Sequence, residues 1–338
     1  MVRRAALFAL LIALAAGRGA AQAPAARAVL PIRAVTLSNG AVRYAVPIRI
    51  GGTALDAALD TGSTGLRVLP GALAPRDAQA SETPETYGYA SGSRYEGLAG
   101  EATLGLGALS GRAPIHLIRS IGCFARLPHC PASRTTLPHY GIASDGLPDE
   151  GFKAILGTDM DRARIGNPLA AIGVRSWIVE LPRPGRPGEG RLILNPTPAE
   201  TAGFAMLPIV GPYAQISGGG LHDALPGCLI HGTERVCGPV LLDTGSSFMM
   251  VANGAAGAPW PDDGTASLEV YGADGAVAAR AELSLGSREA ATRLAWRSEP
   301  RAPRPSIFAG AAPYFAWSVL YDARRQAIGV RPRPPAGS

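Results

Sequence analysis

The chain has 338 residues, 47% hydrophobic and 17% charged, enough apolar material for one large domain or two ordinary ones and too much for a disordered chain. Its 43 glycines and 30 prolines argue against helical bundles and coiled coils and for turn-rich β architecture. The formal net charge of +6 is scattered arginine with no basic block and little aromatic interleaving, which gives no support to nucleic-acid binding.

The chain opens on Met1-Val2-Arg3-Arg4, an apolar run from Ala5 to Ala16, and Gly17-Arg18-Gly19-Ala20-Ala21. A positive start, a short apolar stretch and small residues describe a secretory signal peptide over residues 1–21, cut after Ala21. The run is too short to span a bilayer comfortably. Its removal takes away three arginines and no acid, lowering the formal charge from +6 to +3. No later apolar stretch approaches membrane-spanning length, so an exported protein with no membrane attachment after cleavage is expected.

Short apolar runs punctuated by Gly, Pro, Asn and Asp follow. Residues 44–50, Gly51-Gly52 and residues 55–59 read as a hairpin. Further strands are expected at 102–106, 115–118, 177–181, 191–194, 205–210, 238–242, 267–271, 277–285 and 317–321. The best helix candidates are 168–172 and a turn near 311–314. Segments 182–190 and 195–201 are rich in turn formers, and the second is a natural junction between a first half (22–195) and a second (196–331). Residues 22–28 and 331–338 read as loose tails, the last of them (332–338) beyond the second half.

Four cysteines form two close pairs, and in an exported chain the reading is two local disulfides, Cys123–Cys130 and Cys228–Cys237. A zinc site from Cys123, His129, Cys130 and His139 is the alternative, although its spacing matches no common ligand pattern. The histidines otherwise stand apart and read as surface or satisfied core positions.

The informative feature is a repeat of chemistry. Ala57-Ala58-Leu59-Asp60-Thr61-Gly62-Ser63 in the first half matches Pro239-Val240-Leu241-Leu242-Asp243-Thr244-Gly245-Ser246-Ser247 in the second. In both, an apolar strand runs into Asp-Thr-Gly-Ser and apolar residues follow. A carboxylate at the end of a buried strand is costly unless it is paired or hydrogen-bonded. Gly62 and Gly245 let the chain turn and bring backbone N–H groups near the acid. The Ser63 and Ser246 hydroxyls are expected to hold the outer carboxylate oxygens, and Thr61 and Thr244 to bond across to the opposite half. Two such loops meeting face to face bring Asp60 and Asp243 together, sharing one proton. That arrangement suits peptide hydrolysis: the ionised acid takes a proton from a trapped water and the protonated one donates to the scissile carbonyl. It calls for no metal, no cofactor and no covalent intermediate. A serine hydrolase built on Ser63 or Ser246 lacks both a Gly-x-Ser-x-Gly elbow and a placed histidine.

With these motifs the sequence resembles the pepsin-like aspartic peptidases over roughly residues 44–330. The resemblance implies an all-β, bilobal fold with a central cleft and one catalytic aspartate per lobe. Ala154-Ile155-Leu156-Gly157 resembles the family's apolar-apolar-Gly segment behind the first aspartate loop, and Phe308-Ala309-Gly310 its second-lobe counterpart. The run from Tyr314 to Asp322, with Ile328-Gly329-Val330, is similar to the closing strands. Tyr213-Ala-Gln-Ile216 and the Cys228/Cys237 loop sit where the second lobe carries such features. A retroviral-type peptidase supplies one motif per chain and must dimerise; two motifs here imply a monomer.

The resemblance also implies a hairpin flap over the cleft, matched by the stretch from Tyr87 to Gly97, with Tyr89 the best match to the flap tyrosine and Tyr87 and Tyr95 its competitors. Where many relatives carry a tryptophan after the first motif, this chain has Arg67, so the family's tyrosine–tryptophan hydrogen bond is missing. The first lobe is trimmed, and Ala309 replaces a larger side chain. The short stretch between the expected cut and Tyr44 leads to the expectation of a peptidase made without a typical zymogen stage, or kept latent some other way. Arginine-heavy, alanine-rich usage with Lys153 as the only lysine, and no proline-free Asn-x-Ser/Thr sequon, favours a bacterial exported protein, periplasmic or secreted. The expected substrate is a peptide or protein. A pepsin-fold binding or inhibitor module that has lost turnover is the alternative.

Overall fold

The alternation of Tyr44, Val46, Ile48 and Ile50, all buried, across Gly51-Gly52 from Thr53–Asp60 makes the first hairpin, with Ala45 opposite Ala58 and Ile50 opposite Thr53. In a computed structural model, the structure describes residues 26–161, 163–209, 223–253, 260–299 and 304–334. The described chain is all-β, folded into a 13-stranded and a 7-stranded sheet with three single-turn α-helices.

The same local topology occurs once in each sheet. In the larger one, Thr53–Asp60 runs parallel to Ala154–Thr158, which pairs antiparallel with Thr64–Val68. In the smaller one, Glu234–Leu242 runs parallel to Ser306–Gly310, which pairs antiparallel with Met249–Asn253. Each aspartate loop thus has a strand threaded behind it, and all five residues of that strand are buried in both cases. Strands covered on both faces read as continuous apolar runs, which is what Ala57–Leu59 and Val240–Leu242 are.

Gly157 and Gly310 belong to these crossings. A Cβ on Gly157 would stand 2.8 Å from the Ser63 carbonyl oxygen, and one on Gly310, already at φ +59°, would stand 2.5 Å from that of Phe248. Neither position has room for a side chain.

The larger sheet takes strands from both halves of the sequence. Ser176–Glu180 pairs with Trp317–Asp322, which pairs with Ala327–Pro332, which pairs with Ala205–Pro208. Trp177 and Tyr321, both fully buried, stack there at 5.5 Å. The α-helices are Pro168–Ala171, capped by Asn167, Pro198–Thr201, closed by a Thr197/Glu200 capping box inside the turn-rich 195–201 segment, and Pro313–Ala316.

Where the expected tails are described, their inner ends join strands: Ala28 begins one, and Arg331 and Pro332 end another. Ala28–Thr36 lies between Val42–Ile50 and Gly190–Leu194, with Ala28 opposite Leu194 and buried. Ahead of it, Asn195 donates to the Ala26 carbonyl and Arg27 pairs with Glu200. At the other end, Arg331 and Pro332 close the strand Ala327–Pro332, and Arg333 N–H donates to the Ala316 carbonyl. Interspersed prolines and arginines hide these strands in the sequence: Leu30 and Ile32 face the core while Pro31 and Arg33 do not. The expected signal peptide (1–21) and Tyr213–Ile216 lie outside the described residues.

Cys123–Cys130 and Cys228–Cys237 are disulfides, which fit an oxidising compartment. The zinc alternative loses two of its four ligands, because Cys123 and Cys130 are bonded to each other and have no thiolate to offer. Among the described residues no helix is long and apolar enough to cross a membrane.

Candidate active site

Asp60 ends the strand Thr53–Asp60 and is 5% exposed. Gly62 N–H donates to its Oδ1 at 2.9 Å and Ser63 Oγ–H to its Oδ2 at 2.6 Å. In the second loop Gly245 N–H donates to Asp243 Oδ1 at 2.8 Å. Ser246 does not repeat the role expected of it. Its hydroxyl has a single proton, donated to the Phe248 carbonyl two residues on at 2.8 Å, so the local turn takes the hydrogen bond instead of Asp243.

The two loops lie face to face. A Cβ on Gly62 would stand 2.6 Å from Asp243 Oδ1, and one on Gly245 2.6 Å from Asp60 Oδ1. Each glycine therefore packs on the opposite carboxyl. Burial pushes Asp243 well above the ordinary carboxylate range, and the charge of Asp60 and a hydrogen bond from the Asp243 carboxyl to it push the same way. Asp243 therefore keeps a proton that an ordinary carboxyl has lost near neutrality.

Thr61 and Thr244 lock the loops together from beneath. Thr61 N–H donates to Thr244 Oγ1 at 3.1 Å and Thr244 N–H to Thr61 Oγ1 at 3.0 Å. Thr61 Oγ1 in turn donates to the Leu242 carbonyl at 2.9 Å, and Thr244 Oγ1 to that of Leu59 at 2.8 Å. All four bonds cross from one half of the sequence to the other. With the Thr61 proton used on Leu242, the Tyr314 hydroxyl 2.8 Å away donates to Thr61 and receives from Tyr321 at 2.5 Å.

A cavity of about 700 Å³ opens over the dyad, lined from both halves, by Tyr87, Tyr89 and Tyr95 from one and Phe248, Met250 and Phe308 from the other, among more residues. The expected hairpin is present: Ala78–Gly88 and Ser93–Leu106 pair with Tyr87 opposite Tyr95 and turn through Tyr89–Gly92. The three candidate tyrosines take different posts. Tyr95 is 2% exposed and its hydroxyl meets that of Tyr140 at 2.7 Å, so it belongs to the floor. Tyr89 packs between the other two rings, at 5.1 and 5.2 Å, and its buried hydroxyl has no partner. Tyr87 covers Arg67, whose guanidinium sits 3.3 Å from the ring centroid.

Arg67 is 1% exposed and donates to the Thr64 and Gly65 carbonyls. His116, its partner across the sheet, is fully buried with neither ring nitrogen hydrogen-bonded, contrary to the satisfied environment expected of core histidines. Burial first, and then the Arg67 charge, push His116 down to about 4, so it is a neutral imidazole.

Two functional-looking acids carry no sequence signal. Asp159 and Asp223 are 3% and 2% exposed and come one from each half. Asp159 Oδ1 accepts from Asp161 N–H at 2.6 Å, and Asp223 Oδ2 from Met160 N–H at 2.9 Å. Asp159 N–H also donates to the Ser63 carbonyl at 2.9 Å, in the loop that follows Asp60. Burial raises both, to about 7 for Asp223 and well above the ordinary range for Asp159, where the charge of Asp223 adds to burial.

No protein-family model matches this chain. No curated protein matches it either.

Proposed function

We propose that the protein is an aspartic endopeptidase with the bilobal pepsin-like fold, Asp60 and Asp243 being the catalytic pair. The observation that carries this reading is the face-to-face placement of two acids delivered by matching loops into the lining of one cavity, each packed against the other loop's glycine. A water held between them loses a proton to the ionised carboxylate as its oxygen attacks the scissile carbonyl carbon. The protonated carboxyl gives its proton to the carbonyl oxygen, forming a gem-diol. The acid that took the water proton then gives it to the amide nitrogen while the other carboxylate takes a proton from a gem-diol hydroxyl. The C–N bond breaks to a carboxylic acid and an amine, and the pair again holds one proton. Gly62, Ser63 and Gly245 orient the carboxyl groups, Thr61 and Thr244 fix the loops, and the hairpin excludes water, with Tyr89 its best candidate to touch substrate. The reading includes export to the periplasm or medium by a bacterium, and action as a monomer on peptide substrates.

The test is peptide cleavage from acidic to neutral pH by the wild type, Asp60→Asn and Asp243→Asn, with and without pepstatin. Wild-type cleavage that pepstatin blocks, with each variant down by at least about three orders of magnitude, supports the mechanism. Equal cleavage by variants and wild type sinks it. The second reading, a pepsin-fold binder without turnover, draws on Ser246 being turned from Asp243 and on Arg67 beneath the hairpin. Pepstatin binding with no cleavage of any peptide would favour it.

A further inference from the structure

The cavity over the dyad carries more positive charge than peptide hydrolysis needs. Away from Asp60 and Asp243 its lining includes Asp145 and Asp262, and each is neutralised by an arginine, Arg43 and Arg293 respectively. Three further arginines line it. Arg134 comes from the first half and Arg288 and Arg297 from the second, so cations line the cavity from both halves of the chain. Every Asp and Glu of the sequence lies among the described residues, and none of them forms an ion pair with Arg134, Arg288 or Arg297. Arg134 instead donates to the Asp145 carbonyl at 3.3 Å, and Arg297 to the Ala90 carbonyl in the turn of the hairpin at 3.2 Å. The charged neighbours of Arg297, Glu299 and Arg126, act on it in opposite directions. A guanidinium that spends one N–H on a carbonyl keeps others in its fork for a carboxylate. Low-dielectric walls around such charges focus the field where a peptide must lie.

We propose that this cavity selects peptides bearing carboxylate side chains beside the scissile bond, with Arg134, Arg288 and Arg297 as the specificity-determining residues. The inference rests on the endopeptidase reading for its kinetic test and has a binding test that does not. An unperturbed Glu or Asp side chain loses its charge at about pH 4. Selection is therefore full above about pH 5 and fades towards about pH 3 as substrate carboxylates take up protons, while the arginines stay charged throughout. It also fades with salt, because exposed cations are screened over about 10 Å at 0.1 M ionic strength.

The experiment compares two peptides with one apolar scissile pair, differing only in Glu against Gln at the flanking positions. At about pH 5.5 and low salt, kcat/KM is expected to favour the Glu peptide about tenfold, and at about pH 3 the two converge. Arg134→Gln, Arg288→Gln and Arg297→Gln each lower that preference about threefold, chiefly through KM, whereas Arg297→Lys keeps most of it. A wild-type ratio near one at about pH 5.5, or a ratio that none of the three Gln variants changes, overturns the inference while leaving the peptidase reading intact. If neither peptide is cleaved, fluorescence anisotropy of the same two peptides decides the charge question. Tighter binding of the Glu peptide upholds it, and equal binding overturns it.

Discussion

The Arg67 guanidinium lies under the Tyr87 ring, 3.3 Å from its centroid, at the base of the hairpin that overhangs the dyad. A desolvated cation on an aromatic face contributes roughly 2 kcal/mol, enough to decide where the hairpin rests. Arg67→Met keeps the apolar stem and removes the charge. It is expected to speed amide hydrogen exchange across Tyr87–Ser93 and to lower kcat/KM for peptide about tenfold. Tyr87→Phe retains the ring and loses only the reach of the hydroxyl to the Thr64 backbone, so it should cost less than about threefold. A Tyr87→Phe defect as large as that of Arg67→Met would show that the ring–cation contact is not what seats the hairpin.

The buried acids Asp159 and Asp223 set how stability depends on pH. Burial raises the folded-state pKa of Asp223 to about 7 and that of Asp159 well above its ordinary value, so both keep protons that the unfolded chain releases near pH 4. Their contribution is fully present below about pH 4 and is lost as pH rises through about 7. Asp223→Asn preserves an acceptor for the Met160 N–H and removes the titration. Melting temperatures measured from about pH 4 to 8 should fall less steeply in Asp223→Asn than in the wild type, with the variant more stable at pH 8 by a few kcal/mol. Parallel curves would show that Asp223 is not a buried protonated acid.

His116 acts in the opposite direction. Its folded-state pKa is pushed down to about 4 by burial and by Arg67, so the unfolded chain takes up a proton below about pH 6.5 that the folded one refuses. Stability is lost as pH falls from about 6.5 to 4. His116→Leu removes both unpartnered ring nitrogens and this proton penalty. It is expected to raise the melting temperature at about pH 4.5 by a few degrees and to change it less at pH 8. A variant destabilised equally at both pH values would mean that the imidazole makes bonds the apolar replacement cannot.

How much of this was legible beforehand follows from what a sequence can carry. Asp60 and Asp243 stood out because two identical loops follow two apolar strands, and the strand behind each loop was marked by a glycine, Gly157 or Gly310, at a point with no room for a side chain. The strand Ala28–Thr36 was hidden because its alternation is broken by Pro31 and because it follows what reads as a processing signal. Ser246 was misassigned because a hydroxyl's rotamer depends on the nearest acceptor, here the Phe248 carbonyl, and not on the motif it belongs to. Asp159 and Asp223 had no signal at all: neither belongs to a repeated motif, and only the fold brings an acid from each half into the protein interior. That position 67 holds an arginine was readable, whereas its stacking on Tyr87 was not.

The two threonines of the dyad loops make the same pair of cross-loop bonds but should not be equivalent on mutation. Thr244 Oγ1 accepts from Thr61 N–H and donates to the Leu59 carbonyl. Thr61 Oγ1 accepts from Thr244 N–H, donates to the Leu242 carbonyl and also receives the Tyr314 hydroxyl, behind which stands Tyr321. Replacing either threonine by valine keeps the shape and strands a buried N–H and a buried carbonyl, at a cost of about 2–4 kcal/mol. Thr61→Val in addition leaves the Tyr314 hydroxyl with only its longer contact to the Leu242 carbonyl, at 3.4 Å, so it should be the more damaging by up to about 1 kcal/mol. Denaturant midpoints of the two variants, measured alongside Tyr314→Phe, check this. In the Tyr314→Phe background the two valine substitutions should become equally costly, because the acceptor that distinguished them is no longer needed. Equal costs already in the wild-type background would place the tyrosine pair outside the network that holds Asp60 against Asp243.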